Sequence, residues 1–305
     1  MAVVDSGRHP IRPTRPLPVW PKPERRNSNS SSGCLKPIKT AEGFQKPPKN
    51  NTVAIETLRD LFTQTEVHLW DDHPKQPNGL VVDCPLNTKL SNIIGRYWNQ
   101  RYNLFSKFDQ GIKMDVEGWF SVTPEAIAKH QARRCCGTKG GSGTIVDCFT
   151  GVGGNVIQFA QQTNCQRVIA IDIDSRKLQF AIHNAKIYGI DRSKVMFMLD
   201  DAMVVGPKLR GDVVFLSPPW GGPDYLKHKT FDINTMLKPC GGQALFDMAK
   251  KIAPKIVMFL PKNVDPNQLA ELALSASPPW SLEVEKNYLN GRLKAVTAYF
   301  TKIRW

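Results

Sequence analysis

The chain has 305 residues, 41% of them hydrophobic, enough for one large domain or two small ones with a real core. No run approaches the roughly 18 apolar residues of a membrane span, and the N-terminus lacks the apolar stretch of a signal peptide, so a soluble intracellular protein is expected. The net charge of +14 points to a polyanionic partner, most commonly nucleic acid. Seven cysteines without a CxxC pair or clustered histidines argue against a metal site and for reduced, mostly buried thiols.

Residues 1–50 hold ten Lys/Arg against three Asp/Glu, nine of the 23 prolines and the run NSNSSSG from Asn27 to Gly33. Such a basic Pro/Ser-rich tail is expected to be disordered. Residues 51–86 read as a transitional segment, with a short helix over Ile55–Phe62 and a loop over Asp71–Gly79. From 87 to 138 a small helical subdomain is expected. Leu90, Ile93, Ile94, Tyr97, Trp98, Leu104, Phe105 and Phe108 recur at three- and four-residue spacing, which predicts one amphipathic helix over 88–108 that Gly111 ends. A second helix is predicted over about 124–134, with Thr123 as N-cap, Pro124 in the first position and Glu125 at the positive helix end.

KGGSG, from Lys139 to Gly143, reads as a joint into a domain covering 139–305. There the apolar runs TIVDCF, RVIAIDID, KVMFML, DVVFLS and KIVMFLP alternate with helical sequence, one helix stopping at Gly189. This predicts a parallel α/β sheet with helices on both faces. The end differs: SLEVEKNYL, Asn290-Gly291 and RLKAVTAYF predict an antiparallel hairpin with a type I′ turn. A Rossmann-like parallel sheet finishing in such a hairpin resembles the class I S-adenosylmethionine-dependent methyltransferases.

Ligands of open α/β sheets bind beyond the carboxyl ends of the strands. After TIVDCF comes the glycine turn Thr150-Gly151-Val152-Gly153-Gly154, with Asp147 near the strand end; an acid in an apolar strand needs a partner. Asp172 and Asp174 end the next strand, where an acid can bind ribose hydroxyls or cap the following helix. Such carboxylates suit NAD and S-adenosylmethionine equally. Asp201, in MLDDAM, is placed to accept from an adenine amino group.

The stretch FLSPPWGGPDY follows the DVVFLS strand. SPPW resembles the [Asp/Asn/Ser]-Pro-Pro-[aromatic] motif of methyltransferases acting on conjugated nitrogens. A base's exocyclic amine is a poor nucleophile, and acceptors on its N–H groups favour charge building up on nitrogen. The Ser217 hydroxyl and the Pro218 carbonyl are candidate acceptors, and the prolines add no competing N–H. Trp220 would stack on the base. Trp has the strongest quadrupole of the aromatic side chains, and its attraction for a desolvated cation reaches ~2 kcal/mol, so it suits a positively charged base such as 7-methylguanine.

GWFSVTPE, GVGGNVIQFA, RVIAIDID, FLSPPWGGPDY and LKAVTAYF together resemble the trimethylguanosine synthases, a family of RNA cap guanosine-N2 methyltransferases, over roughly residues 88–305. The resemblance implies methyl transfer from S-adenosylmethionine to N2 of the 7-methylguanosine cap of small nuclear and nucleolar RNA, in the nucleus, including nucleolus and Cajal bodies, and in some cytoplasm. Small ribonucleoprotein components would be partners; a membrane would not. It implies Phe105, Thr123, Asp147, Gly151, Gly153, Asp172 and Asp201 around the cofactor, under a lid formed by the helical subdomain. Asn184 and Ser217 would bond the base edge, and Trp220 would stack on it. Tyr225, Lys262, Lys294 and Arg96 would meet the cap triphosphate, Arg96 replacing a lysine of the family pattern and Lys262 an arginine, which keeps charge but not geometry. The competing readings are an N2-guanine or N6-adenine methyltransferase for internal RNA positions and a catalytically silent cap-binding scaffold.

Overall fold

The apolar runs become neighbouring strands of a single sheet. The computed structural model describes residues 61–71, 95, 97–137 and 143–303. The tail over 1–50, most of the transitional segment, the start of the 88–108 pattern, Arg96 and most of the KGGSG joint lie outside the described residues. The strands are β1 (Phe62–Leu69), β2 (Thr144–Asp147), β3 (Arg167–Asp172), β4 (Val195–Leu199), β5 (Val213–Leu216), β6 (Lys255–Pro261), β7 (Ser281–Leu289) and β8 (Arg292–Thr301). They form one sheet in the order β1-β7-β8-β6-β5-β2-β3-β4. Only β8 runs antiparallel to its neighbours, β6 and β7. Asn290 and Gly291 both have positive φ, 50° and 73°, as the expected type I′ turn requires.

Alternation along the strands divides the core. Val146, Val214 and Leu216 face one side, with Leu245, Phe246 and Leu269 from the helices Gly241–Ala249 and Pro266–Leu274. Ile145, Val213 and Phe215 face the other, with Ile127, Val156 and Phe159 from the helices Glu125–Cys136 and Gly154–Gln161. The α/β fold with its closing hairpin is thus as expected. Among the described residues four of five cysteines are buried, and no helix is long and apolar enough to cross a membrane.

Three expectations need correction. Phe62 begins a strand rather than ending a helix, and β1 extends the sheet by pairing in parallel with β7. The 88–108 pattern is not one helix: residues 99–100 form a turn, Arg101–Leu104 a single helical turn, and Phe105 is extended at φ −144°, ψ 114°. A tertiary acceptor takes over there, since the Ser106 N–H donates to Glu125 Oε2 at 2.6 Å and the Lys107 N–H to the Tyr188 hydroxyl. The following helix begins at Glu125, with Pro124 in the N-cap position and no side-chain cap, so Thr123 does not cap it.

Glu125 is 6% exposed and fastens the segment expected as a lid to the sheet domain. Its carboxylate accepts from the Ser106 N–H and hydroxyl, from the Tyr188 hydroxyl at 2.6 Å and from Lys129 Nζ at 2.6 Å. Burial pushes its pKa up, but Lys129, Ser106 and Tyr188 outweigh burial and hold it below its ordinary 4.5. Because the folded value is depressed, the contribution is complete above 4.5 and is lost as pH falls through the folded value. Glu125→Gln should therefore cost about 2 kcal/mol at neutral pH. In thermal unfolding followed from pH 7 down to 3, the gap between variant and wild type should close below pH 4.5.

Candidate active site

The strand order reverses between β2 and β5: β3 and β4 lie to one side, β6, β8, β7 and β1 to the other. Crevices form at such a point, beyond the carboxyl ends of the strands. A cavity of about 530 Å³ lies there. A smaller one, about 250 Å³, lies at the opposite end, where β5, β6 and β7 begin.

Each strand end contributes a different chemistry to the larger cavity. After β2 come Phe149, Thr150 and Gly151; after β3, Asp172, Ile173 and Asp174; after β4, Asp201; after β5, Ser217, Pro218, Pro219 and Trp220. Gly154 and Asn155 bring the start of the Gly154–Gln161 helix to the wall, and Lys294 reaches it from β8. Tyr97, Gln100, Glu117, Phe120 and Thr123 close it from the lid.

The glycine turn is shaped by its neighbours. Gly151 has φ +54°, and its N–H donates to Asp172 Oδ2 at 2.6 Å. Asp172 Oδ1 accepts from the Asp174 N–H. Burial raises the Asp172 pKa, against the lowering by these two N–H groups and Lys177. Gly153 (φ +93°) would drive a side chain to 3.0 Å from the Ala181 backbone, in the helix Ser175–Ile187. It therefore serves helix packing and, unlike Gly151, is absent from the cavity wall.

The SPPW loop is fixed from behind. Trp220 Nε1 donates to the Phe259 carbonyl at 3.3 Å. Its ring meets Tyr225 edge-on at 5.4 Å between centroids and Phe259 at the same distance, tilted. The Ser217 hydroxyl makes no hydrogen bond among the described residues. On the opposite wall Lys294 Nζ donates to Gln100 Oε1 at 3.2 Å, joining β8 to the lid. Burial, then the charges of Arg292 and Lys262, lower the Lys294 pKa. Lys294 thus sits among like charges, with no carboxylate paired to it among the described residues.

Of the expected site residues, Thr123, Gly151, Asp172, Asp201, Ser217, Pro218, Trp220, Tyr225 and Lys294 line the cavity. Five do not. Phe105 is 2% exposed and packs against Tyr188. Asn184 is fully buried and its amide is committed to the Lys113 N–H and the Lys113 and Val152 carbonyls, so it pins the lid to the glycine turn. Asp147 lies behind the turn, its Oδ1 accepting from the Phe149 N–H. Gly153 packs as described, and Lys262 is exposed beyond the wall, near enough to act on Lys294. Asp174 caps the Ser175–Ile187 helix through two N–H groups while also lining the cavity. Asp201 likewise caps the helical turn Ala202–Val205.

Thr150, Asn155, Ile173 and the lid residues Gln100, Glu117 and Phe120 were not expected at the wall. Glu117 pairs with Lys177, tying lid to domain beside Asp172. Thr123 and Thr150 are 2% and 5% exposed, and both hydroxyls are buried without a partner. Orphaned polar atoms at a cavity wall suit a polar ligand. Burial, reinforced by the charge of Asp172 and opposed by the Phe149 N–H, pushes the Asp147 pKa up to about 7. The folded protein thus holds a proton that the unfolded chain gives up near 3.8, so stability is lost as pH rises between the two values. Asp147→Asn should be near neutral at pH 4 and should raise the melting temperature at pH 8.

Residues 142–303 match the family model described as RNA cap guanine-N2 methyltransferase. The chain is 38% identical over 226 residues to a trimethylguanosine synthase of Schizosaccharomyces pombe, covering 72% of this chain and 91% of that protein. It is 37% identical over 206 residues to the Saccharomyces cerevisiae trimethylguanosine synthase, covering 64% of this chain and 65% of that one. An S-adenosylmethionine-dependent O-methyltransferase structure from Thermotoga maritima aligns at 14% identity and TM-score 0.44, over 66% of this chain and 72% of that one. The chain belongs to the RNA cap guanine-N2 methyltransferase family.

Proposed function

We propose that this cap guanine-N2 methyltransferase uses S-adenosylmethionine to convert a 7-methylguanosine cap into its 2,7-dimethyl and 2,2,7-trimethyl forms. The observation that carries the reading is Trp220, held rigidly at the cavity wall beside Ser217 and Pro218. Asp172, Asp201 and the orphaned hydroxyls of Thr123 and Thr150 supply the polar groups that the donor's ribose, adenine and amino-acid ends require. Bound there, S-adenosylmethionine supplies a methyl group on a positively charged sulfur, already an excellent leaving group.

The protein's part is orientation and electrostatics. Trp220 holds a cationic base through its face; its N–H is already engaged by the Phe259 carbonyl, and its ring packs against Tyr225 and Phe259. The Ser217 hydroxyl and the Pro218 carbonyl accept from the N2 amine, which favours positive charge developing on that nitrogen. Lys294, Tyr225 and the nearby Lys262 meet the triphosphate. The lid residues Gln100, Glu117 and Phe120 complete the wall and limit water. The net charge of +14 suits capped small nuclear and nucleolar RNA as substrate, with a nuclear site of action and ribonucleoprotein components as partners.

With S-adenosylmethionine and either m7GpppG or GpppG, chromatography of the products should show methylation of the first and little of the second. Equal methylation of both would remove the role given to Trp220. Trp220→Ala should lower kcat/KM for m7GpppG by about 30-fold or more, the equivalent of ~2 kcal/mol. Its affinity for S-adenosylhomocysteine should stay within about twofold of wild type. Uncapped RNA should not be a substrate; its methylation would favour an internal guanine or adenine as acceptor.

A further inference from the structure

A line of buried polar side chains runs from the cavity wall to the outer hairpin. At its far end Glu285, 3% exposed, accepts from Arg134 Nη1 at 2.8 Å and from the Tyr299 hydroxyl at 3.2 Å, with His130 Nε2 at 3.0 Å. It also accepts from Asn287 Nδ2 at 3.0 Å. Asn287 Oδ1 accepts from the Thr297 hydroxyl at 2.6 Å, and Thr297 Oγ1 accepts from Gln131 Nε2 at 3.0 Å. Gln131 Oε1 accepts from Asn155 Nδ2 at 2.7 Å. Gln131, Asn287 and Thr297 are fully buried, and Asn155, 6% exposed, lines the cavity.

Every link points the same way, with its donor nearer the cavity and its acceptor nearer Glu285. A carboxylate can only accept, which forces Asn287 to present its NH2 to Glu285 and its oxygen to Thr297. The hydroxyl of Thr297 is then spent as a donor, so its oxygen must accept from Gln131. Gln131 in turn must accept from Asn155. Bulk solvent does not reach the middle of the line, where Gln131, Asn287 and Thr297 are fully buried. The amide NH2 of Asn155 is thereby turned inward, and Oδ1 is what remains for the cavity.

We propose that this line is a polarity relay, in which the charge of Glu285 fixes Asn155 Oδ1 as an acceptor for the α-ammonium group of the methyl donor. The inference rests on the donor proposed above. A sulfonium has three arms. One, the adenosine, is directed towards Asp172 and Asp201, and the methyl towards Ser217 and Trp220. The amino-acid arm is left with Asn155 and the two orphaned hydroxyls, Thr123 and Thr150. Thr123 lies against the same helix start as Asn155: a side chain on Gly154 would sit 3.5 Å from the Thr123 carbonyl oxygen. Asn155 is then a binding residue, and Gln131, Thr297 and Glu285 are positioning residues.

Two ligands separate this role from simple support of the fold. S-adenosylhomocysteine carries the amino-acid arm, whereas 5′-methylthioadenosine keeps the adenosine and thioether without it. In calorimetric titration, Asn155→Ala should weaken S-adenosylhomocysteine about tenfold, the loss of one charged hydrogen bond, and leave 5′-methylthioadenosine within about twofold. Thr297→Val, nearly isosteric and remote from the ligand, should act in the same direction, by about threefold, on the first ligand alone. An unchanged ratio of the two affinities in either variant would overturn the relay. Failure of the wild-type protein to bind either ligand would instead overturn the donor assignment, and the relay with it.

Discussion

The candidate site depends on how β5 ends. A fully buried strand delivers Ser217, Pro218 and Trp220 to the point where the sheet reverses its order. Two consecutive prolines remove the N–H groups that would extend strand pairing and restrict the backbone on either side. The indole that follows is then caught by the Phe259 carbonyl and packed against the rings of Tyr225 and Phe259. A ring with its N–H satisfied and two aromatic neighbours has little rotamer freedom left to lose. That preorganisation is what lets a loop act with the precision of a strand.

The other wall is organised around the same reversal point. Gly151 bends back so that its N–H reaches Asp172, which shapes the turn and orients the carboxylate at once. Glu125 fastens the base of the lid, Asn184 ties the lid to the turn, and the Glu117–Lys177 pair and the Lys294–Gln100 hydrogen bond hold it on the two sides of the cavity. Lid, glycine turn and hairpin thus share buried polar contacts as well as apolar packing, and the relay from Asn155 to Glu285 joins the last two. Such networks are costly when half made and specific when complete.

Much of this was legible in the residues because burial leaves a plain signature. β2, β3, β5 and β6 read as strands because both faces are covered and the runs are almost wholly apolar, β4 because its run is apolar although it lies half-buried at the sheet edge, and Asn290-Gly291 announced its turn. β1 was missed because FTQTEVHL is an edge strand, mostly exposed and polar, whose partner β7 lies over 200 residues away. The break at Phe105 was invisible because its cause, the Glu125 carboxylate taking the Ser106 N–H, is a long-range contact that periodicity does not register. Thr123 looked like a cap by type, yet its hydroxyl is buried without a partner and the residue lines the cavity. Asn184 and Phe105 were expected at the ligand and proved to be buried supports of the lid. Thr150 and Asn155 had no signal beyond their place beside the glycines; their burial and their hydrogen bonds single them out.

The central claim is that Trp220 is the platform for a cationic cap base between the SPPW loop and the lysines of β8 and its surroundings. A crystal structure of the protein with S-adenosylhomocysteine and m7GTP tests it most directly. The account predicts the 7-methylguanine ring stacked on the Trp220 face, its N2 amine within hydrogen-bond reach of Ser217 Oγ and the Pro218 carbonyl, and its phosphates directed to Lys294. A base bound away from Trp220, or one stacked there with N2 turned from Ser217, would contradict it.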